Sequence, residues 1–435
     1  MVFQLTFLSS EIIIFSQKIL SEDSMKKLFL AVLIIFLTMN GLFPSEISVP
    51  RVKERIEKIG GIKFKTSLEI DFMSRNKFSA YIGKYFDKTY PADVSKKEGK
   101  FLNIMGFLKR GQSLNEIRKR VIKNNAGGLY DENSGKLIII NEFMNSDPVF
   151  KLVLVHELRH ALQDQHYNIS RMFGSLSDFD DRKLAKLAVL EGDAMFVMSR
   201  YAKEYTPFPV SPELSTSGYS SDSLLSFSPV KFSHNLDNVP SIIKNNLTMP
   251  YVQGLKFMLA VYRRGKWKGI NKVLSNPPVS TEQILHPKKY FKGEIPVSVS
   301  IVYKPDGYSI FHSGTIGEFM LNILLAGNKE LVDKASGWGG DTFNIYINGN
   351  SYVLLWKSVW DKKEYCSRFF TDFRNFTEEL FSVSYRKGNV KGNPFLAGKS
   401  KSGYLFIRKV GKTVFYMKTN NRKEINTFIN GGYYD

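Results

Sequence analysis

A single cysteine, Cys366, stands in 435 residues. No internal disulfide can staple the chain, so its stability has to come from an apolar core and from any bound metal. As a nucleophile Cys366 has no histidine near it in sequence, and its surroundings, Tyr365-Cys366-Ser367-Arg368-Phe369-Phe370, read as packing. Long apolar runs are lacking too. The stretch Leu28 to Leu37 is shorter than the roughly 20 residues a membrane-crossing helix needs. With Met25-Lys26-Lys27 before it and Gly41 to Ser45 after it, it has the three-part form of a secretory signal. On this reading residues 1–45 are a targeting segment, with the signal at 25–45 and a start-site extension at 1–24. The alternative is an uncleaved N-terminal membrane anchor. No cysteine lies near the cleavage region, which argues against a lipid-anchored form. The expected location is exported: periplasm, cell surface or extracellular. No internal repeat or low-complexity tract is evident.

Acidic residues are outnumbered. There are 41 Asp and Glu against 61 Lys and Arg, a formal net charge of +20. Residues 1–45 do not alter it, because Lys18, Lys26 and Lys27 offset Glu11, Glu22 and Asp23. Nucleic acid is the reflex partner for such a balance, but export argues against it. Pairs such as Lys96-Lys97 and Lys288-Lys289 are scattered rather than interleaved with aromatics along a groove. No nucleic-acid partner is expected. A basic exported chain suits electrostatic contact with anionic envelope surfaces or an acidic substrate, and solvated surface accounts for much of the excess.

Histidine is scarce as well, with six in the chain, and two of them form His156-Glu157-Leu158-Arg159-His160. This HExxH string continues an apolar run from Val149 to Val155 and on through Leu158, Ala161 and Leu162. Side chains four apart stack on one helix face, so both imidazoles can reach one metal ion. Glu157, one residue round, can act on a metal-bound water without being a ligand. A third ligand is required. Residues 182–203 place Leu184, Leu187, Ala188, Glu191, Met195 and Met198 along one stripe of a helix. Glu191 thus occupies a buried face, where an unpaired carboxylate is costly; a metal ion compensates it, and a buried salt bridge is the alternative. His166 is the rival third ligand, at the spacing of HExxHxxGxxH, but Gln163 stands where that motif needs a helix-breaking glycine. Asp193, off the Glu191 stripe, suits a supporting role better.

The run His156 to Gln165 resembles the zinc helix of the gluzincins, metallopeptidases in which a distant helix supplies a glutamate ligand. More narrowly, the chain is similar to a largely uncharacterised group of secreted bacterial and archaeal gluzincin-like proteins. The likeness rests on Gly127-Gly128-Leu129-Tyr130 with Leu137 to Ile140, on His156 to His166, and on Glu191-Gly192-Asp193-Ala194. It continues in Ser280 to Pro287 with Tyr290, and in Gly337-Trp338-Gly339-Gly340-Asp341. It spans roughly residues 60–415 and implies one zinc ion held by His156, His160 and Glu191, with Glu157 as general base. It implies no particular substrate.

Along the chain, residues 46–60 read as a charged helix. Residues 61–125 read as short strands and helices, for example Ile62-Lys63-Phe64 and then Leu114 to Ile122. Gly127 to Asn141 reads as a hairpin turning through Asp131 to Gly135. In the peptidases it resembles, such a strand lies at a sheet edge and pairs with extended substrate; Ile138-Ile139-Ile140 equally suits an ordinary core strand. A Ser/Pro-rich segment over 206–248 reads as an irregular loop, and helix returns at Tyr251, with Gly254 permitting a close helix neighbour. Ser280 and Gln283 fit a capping box. His286 or Tyr290 could donate to the oxyanion of the reaction, against a capping or packing role; His234 and His312 have weaker claims. Strands are expected at Phe343 to Tyr346 and Tyr352 to Trp356, and a hairpin at Tyr404 to Arg408 and Thr413 to Met417.

The expected fold is α+β: a zincin-like metallopeptidase core over 46–205 (edge sheet, HExxH helix, glutamate helix), the loop at 206–248, and an α+β C-terminal region over 249–435 that completes the cleft. The expected activity is zinc-dependent hydrolysis of peptide bonds in a peptide or protein substrate. The alternative is a non-catalytic envelope or surface binding protein that keeps a structural zinc site.

Overall fold

Amphipathic periodicity and short alternating runs produce a mixed α+β chain. The computed structural model describes residues 48–109, 111–141, 148–174, 180–206, 239–326, 333–390 and 392–433. The targeting segment and most of the Ser/Pro-rich segment, with His234, lie outside them. Among the described residues no helix is long and apolar enough to cross a membrane.

The N-terminal part opens with α1 (Val49–Gly60), which buries Val52, Ile56 and Ile59 at helical spacing. The Ile62-Lys63-Phe64 segment forms no strand; the Phe64 N–H donates instead to the Glu57 carboxylate at 2.9 Å. Then follow β1 (Glu69–Met73), α2 (Arg75–Thr89), α3 (Ala92–Ile104) and α4 (Leu114–Asn125). The expected hairpin is present as β2 (Gly128–Asp131) and β3 (Lys136–Ile140). In the three-stranded sheet, order β1-β3-β2, the uniformly apolar β3 is central and buried and β2 is an edge. β3 thus fits the reading as an ordinary core strand, and β2 lies at a sheet edge.

Three helices carry the centre of the molecule: α5 (Pro148–Tyr167), the short α6 (Ile169–Phe173), and α7 (Asp181–Tyr205), capped by the Asp180 carboxylate on the Arg182 N–H. The next helix, α8 (Ser241–Ser275), takes in the last eight residues of the expected irregular segment, 241–248, and carries Pro250 within it. Its backbone breaks at Lys266, where φ is 49° and ψ −148°. The α7–α8 crossing is set by glycine. A Cβ on Gly254 would lie 2.0 Å from the Ala188 carbonyl oxygen, and one on Gly192 would lie 2.2 Å from the Gly254 carbonyl carbon. Only backbone fits against backbone here.

Beyond α8 come α9 (Thr281–Leu285), α10 (Pro287–Lys292), β4 (Ser309–Gly314), α11 (Gly317–Ala326), β5 (Trp338–Asn348), β6 (Ser351–Trp360) and α12 (Lys363–Phe381). The chain ends in β7 (Arg386–Val390), β8 (Asn393–Ser400), β9 (Gly403–Val410), β10 (Thr413–Thr419) and α13 (Arg422–Gly431). These strands form a seven-stranded antiparallel sheet, order β4-β5-β6-β10-β9-β8-β7. Both faces are covered, as period-two alternation requires. Trp356 and Trp360 meet Phe369 and Phe373 of α12 on one side, while Val353 and Leu355 join Ile425 and Phe428 of α13 on the other. Cys366, on α12, is fully buried. Residues from Val49 onward make one compact unit.

Candidate metal centre

The HExxH string lies within α5, whose hydrogen-bonded turns run on through Gln163 to Tyr167. The two imidazoles share one face as the spacing requires. His156 Nε2 and His160 Nε2 are 3.0 Å apart, and Glu191 Oε2, from α7, lies 3.0 Å from the first and 3.4 Å from the second. These three residues could together hold a metal ion. Tetrahedral zinc with bonds of roughly 2.0–2.1 Å keeps its ligands roughly 3.3 Å apart, so the donor triangle is of the right size.

The protonation logic agrees. Gln163 Nε2 donates to the Leu190 carbonyl at 2.9 Å and to Asp193 Oδ2 at 2.8 Å, which turns its Oε1 toward His160 Nδ1 at 2.8 Å. An acceptor there requires a proton on Nδ1, so Nε2 is the nitrogen turned to the Glu191 oxygen and available to a metal ion when its own proton leaves. Two ring nitrogens and a carboxylate oxygen thus converge on one point, which a shared proton fills without metal and which a cation can take once that proton is released. Burial opposes the charged form of His160, but the Glu191 carboxylate outweighs it and holds the imidazole up to about 9. Burial likewise opposes ionised Glu191, and the two imidazoles hold it down to about 2. Asp193 is anchored in turn by Arg159 through bonds of 2.7 and 3.2 Å, with both residues fully buried. A chain of contacts therefore runs Arg159, Asp193, Gln163, His160. His156 has no such support among the described residues: its Nδ1 is buried and finds no hydrogen-bond partner there.

Glu157 is turned from the triangle toward the edge strand, where its Oε2 accepts the Tyr130 N–H at 2.9 Å. A Cβ on Gly128 would approach Glu157 Cγ to 3.2 Å, so glycine there leaves room for the carboxylate. The Ile140 N–H bonds the Gly127 carbonyl, and Leu129 pairs with Ile138. Alternation then turns the polar backbone groups of Gly128 and Tyr130 off the sheet edge. A cleft of about 340 Å³ lies along this edge, bounded by His156, Glu157, His160, Glu191 and Tyr251 and walled by apolar groups such as Phe86, Leu129, Phe173 and Leu187.

The other candidates are placed elsewhere. His166 Nε2 lies 2.8 Å from the Lys63 carbonyl and does not join the triangle. His286 pairs with the fully buried Glu318 at 2.7 Å, and the Tyr290 hydroxyl donates to the Asn276 carbonyl at 2.7 Å. Neither is among the residues lining the cleft, and their contacts fit the capping or packing alternative. The physical reason is the anchoring of their segment. Thr281 donates its N–H and hydroxyl to Asp181 at 2.9 and 2.5 Å, and Asp181 stands ten residues, roughly 15 Å of helix, from Glu191. Ser280 caps α9 on the Gln283 N–H, and Gln283 reaches back to the Val279 N–H. Asp341 binds the Ile316 and Gly317 N–H groups and the Trp338 indole. Both downstream sequence blocks are therefore structural. His312 is a buried histidine against Phe343, and burial followed by the charge of Lys97 pushes it down to about 4.

Tyr251 lies beside the donor triangle, a place that the sequence did not assign to it. Its ring lies 6.1 Å from that of His156, and its hydroxyl is hydrogen-bonded to Glu191; burial first, then the Glu191 and Glu157 carboxylates, raise it well above the usual phenol range. Its signal in the sequence, Tyr251 on the Gly254 face of α8, reads equally as packing.

A family model described as a domain of unknown function (DUF8575) matches residues 309–427, a span that takes in the large sheet and excludes α5 and α7. No curated protein and no solved structure matches the chain.

Proposed function

We propose that this protein is an exported, zinc-dependent peptidase of the gluzincin type, with a zincin-like core formed by the edge sheet, α5 and α7. The observation that carries the reading is the convergence of His156, His160 and Glu191 on one point, with the Glu157 carboxylate and an open strand edge on the same cleft. Zinc, when bound, supplies Lewis-acid polarisation of the scissile carbonyl and acidifies a water molecule. The chain's residues do the rest. Glu157 takes the proton from the attacking water and returns it to the leaving amine. Tyr251 presents a protonated hydroxyl to the cleft and donates to the oxygen that becomes negative. The outward backbone groups of Gly128 pair with an extended peptide and align it beneath Glu157.

The rival reading, a structural zinc site in a binding protein, calls for a closed set of four ligands. Among the described residues no fourth histidine, cysteine or carboxylate joins the three, and His166 is engaged elsewhere. Metal analysis by mass spectrometry on residues 46–435, wild type beside Glu191→Ala, tests the ligand set. One zinc per chain in the wild type and a large loss in the variant is expected; zinc retained in Glu191→Ala removes Glu191 from the site. Glu157→Gln should keep the metal and lose peptide hydrolysis, and turnover by that variant would eliminate the proposed base.

A further inference from the structure

Helix α8 carries seven basic side chains and no acidic one over Ser241–Ser275. The break at Lys266 folds its last turns back on the helix body, so that a Cβ on Gly269 would sit 3.2 Å from the Val261 carbonyl oxygen. Between this fold-back and α10 lies a groove of about 780 Å³, separate from the cleft at the metal ligands. Arg264, Lys272 and Lys292 line it, and no acidic residue does. None of the three is ion-paired among the described residues. The nearest acid in sequence, Glu294, is committed to Lys289 at 2.7 Å. Arg264 spends its guanidinium plane on the Phe291 ring, 4.9 Å away. The groove is amphipathic: Val279 and Ile295 line it and are 38 % and 71 % exposed, and Val297, just beyond, is 57 % exposed.

We propose that this groove is a docking surface for an anionic phospholipid membrane, with Arg264, Lys272 and Lys292 taking headgroup phosphate and Ile295 entering the acyl boundary. Charge complementarity selects the anion, since three unpaired cations face one concavity. The exposed aliphatic rim selects lipid over a soluble anion, because the rim gains only where apolar area leaves water. Docking here is independent of hydrolysis at the metal ligands.

The test is co-sedimentation of the purified protein with phosphatidylcholine vesicles, with and without phosphatidylglycerol. Binding should require phosphatidylglycerol and weaken with salt. Each basic residue near an anionic surface contributes roughly fivefold, so Arg264→Gln/Lys272→Gln/Lys292→Gln should lose about 100-fold. The single variants Lys272→Gln and Lys292→Gln, at exposed positions that leave the fold intact, should each lose about fivefold, and Ile295→Ser should lose severalfold. A charge-matched control, Lys58→Gln/Lys77→Gln/Lys401→Gln at exposed sites outside the groove, should lose much less. Equal losses in the two triple variants would overturn the proposal, leaving net charge as the whole cause. Binding of an oligoglutamate peptide as tight as that of vesicles, and dependent on the same three residues, would overturn it in favour of an acidic protein partner.

Discussion

Alanine at Gly192 is the smallest change that should disturb both the fold and the candidate metal centre. Its Cβ would meet the Gly254 carbonyl carbon at 2.2 Å and the carbonyl oxygen at 2.4 Å, more than 1 Å inside ordinary contact. The opposing atoms are helix backbone, so no side-chain rotation relieves the overlap and α7 and α8 have to separate. Overpacking costs about 1–3 kcal/mol, and a rigid backbone partner places this case at the upper end, about 3 kcal/mol. Glu191 precedes Gly192 on α7 while His156 and His160 sit on α5, so a separation of that size also displaces one corner of the donor triangle. Misplacing a metal site's supporting geometry typically costs about 10–100-fold in affinity. Thermal unfolding of metal-free protein reads the first effect, with an expected fall of several degrees, and zinc titration against a chelator reads the second. Gly254→Ala, with its Cβ 2.0 Å from the Ala188 carbonyl oxygen, should behave alike in the first assay. A Gly192→Ala protein with unchanged midpoint and unchanged zinc affinity would refute both the crossing geometry and its link to the site.

Gln163→Leu removes the acceptor that holds the proton on His160 Nδ1, so zinc affinity measured by chelator competition should fall about 10–100-fold; an unchanged value would sever Gln163 from the site. His286→Ala and Tyr290→Phe should leave peptide hydrolysis within about twofold, since their partners are Glu318 and the Asn276 carbonyl; a hundredfold loss in either would return it to the mechanism. Lys418 is buried in β10, its Nζ donates to the Ile104 carbonyl at 2.7 Å, and burial pushes it down to about 7. Its folded value is depressed, so between about pH 7 and 10 the unfolded chain binds more protons, and stability rises with pH by up to about 1.4 kcal/mol per unit. Urea unfolding across that range should show the rise in wild type and its loss in Lys418→Met, and parallel profiles would contradict the assignment. Gly317→Ala, at φ +78° with a Cβ 1.8 Å from Asp181 Oδ1, should cost about 2–3 kcal/mol in the same assay, and a neutral result would remove Asp181 from that junction.

What could be read from the chain follows from how local each cause is. His156 and His160 are brought together by one helix turn, and Glu191 was marked by its place on an apolar stripe; periodicity alone reaches both facts. Gly254 announced a helix crossing, though not that its partner would be the residue beside Glu191. The helix Lys363–Phe381 is not evident from the short Tyr365 to Phe370 run alone, because its buried face emerges only when Cys366, Phe369 and Phe373 are taken together at helical spacing. The return to helix at Ser241 was hidden by Pro250, which usually ends a helix and here lies inside one.

The remaining placements are set by tertiary contacts. His286 and Tyr290 have suitable chemistry for an oxyanion donor, yet an acidic side chain at the far end of α7 holds their segment away from the cleft. Gln163 shows the limit most clearly. In sequence it counts only as the absent glycine of a different motif, whereas in the fold its amide hydrogens are spent on Leu190 and Asp193, so its oxygen has one direction left, toward His160. The same residue that lets α5 continue, and so carries His166 away from the triangle, orients the histidine that stays. A glutamate at the third corner and a glutamine at position 163 therefore belong to one arrangement: with the helix unbroken, the third corner of the triangle comes from α7, and α7 also supplies through Leu190 and Asp193 the groups that lock His160.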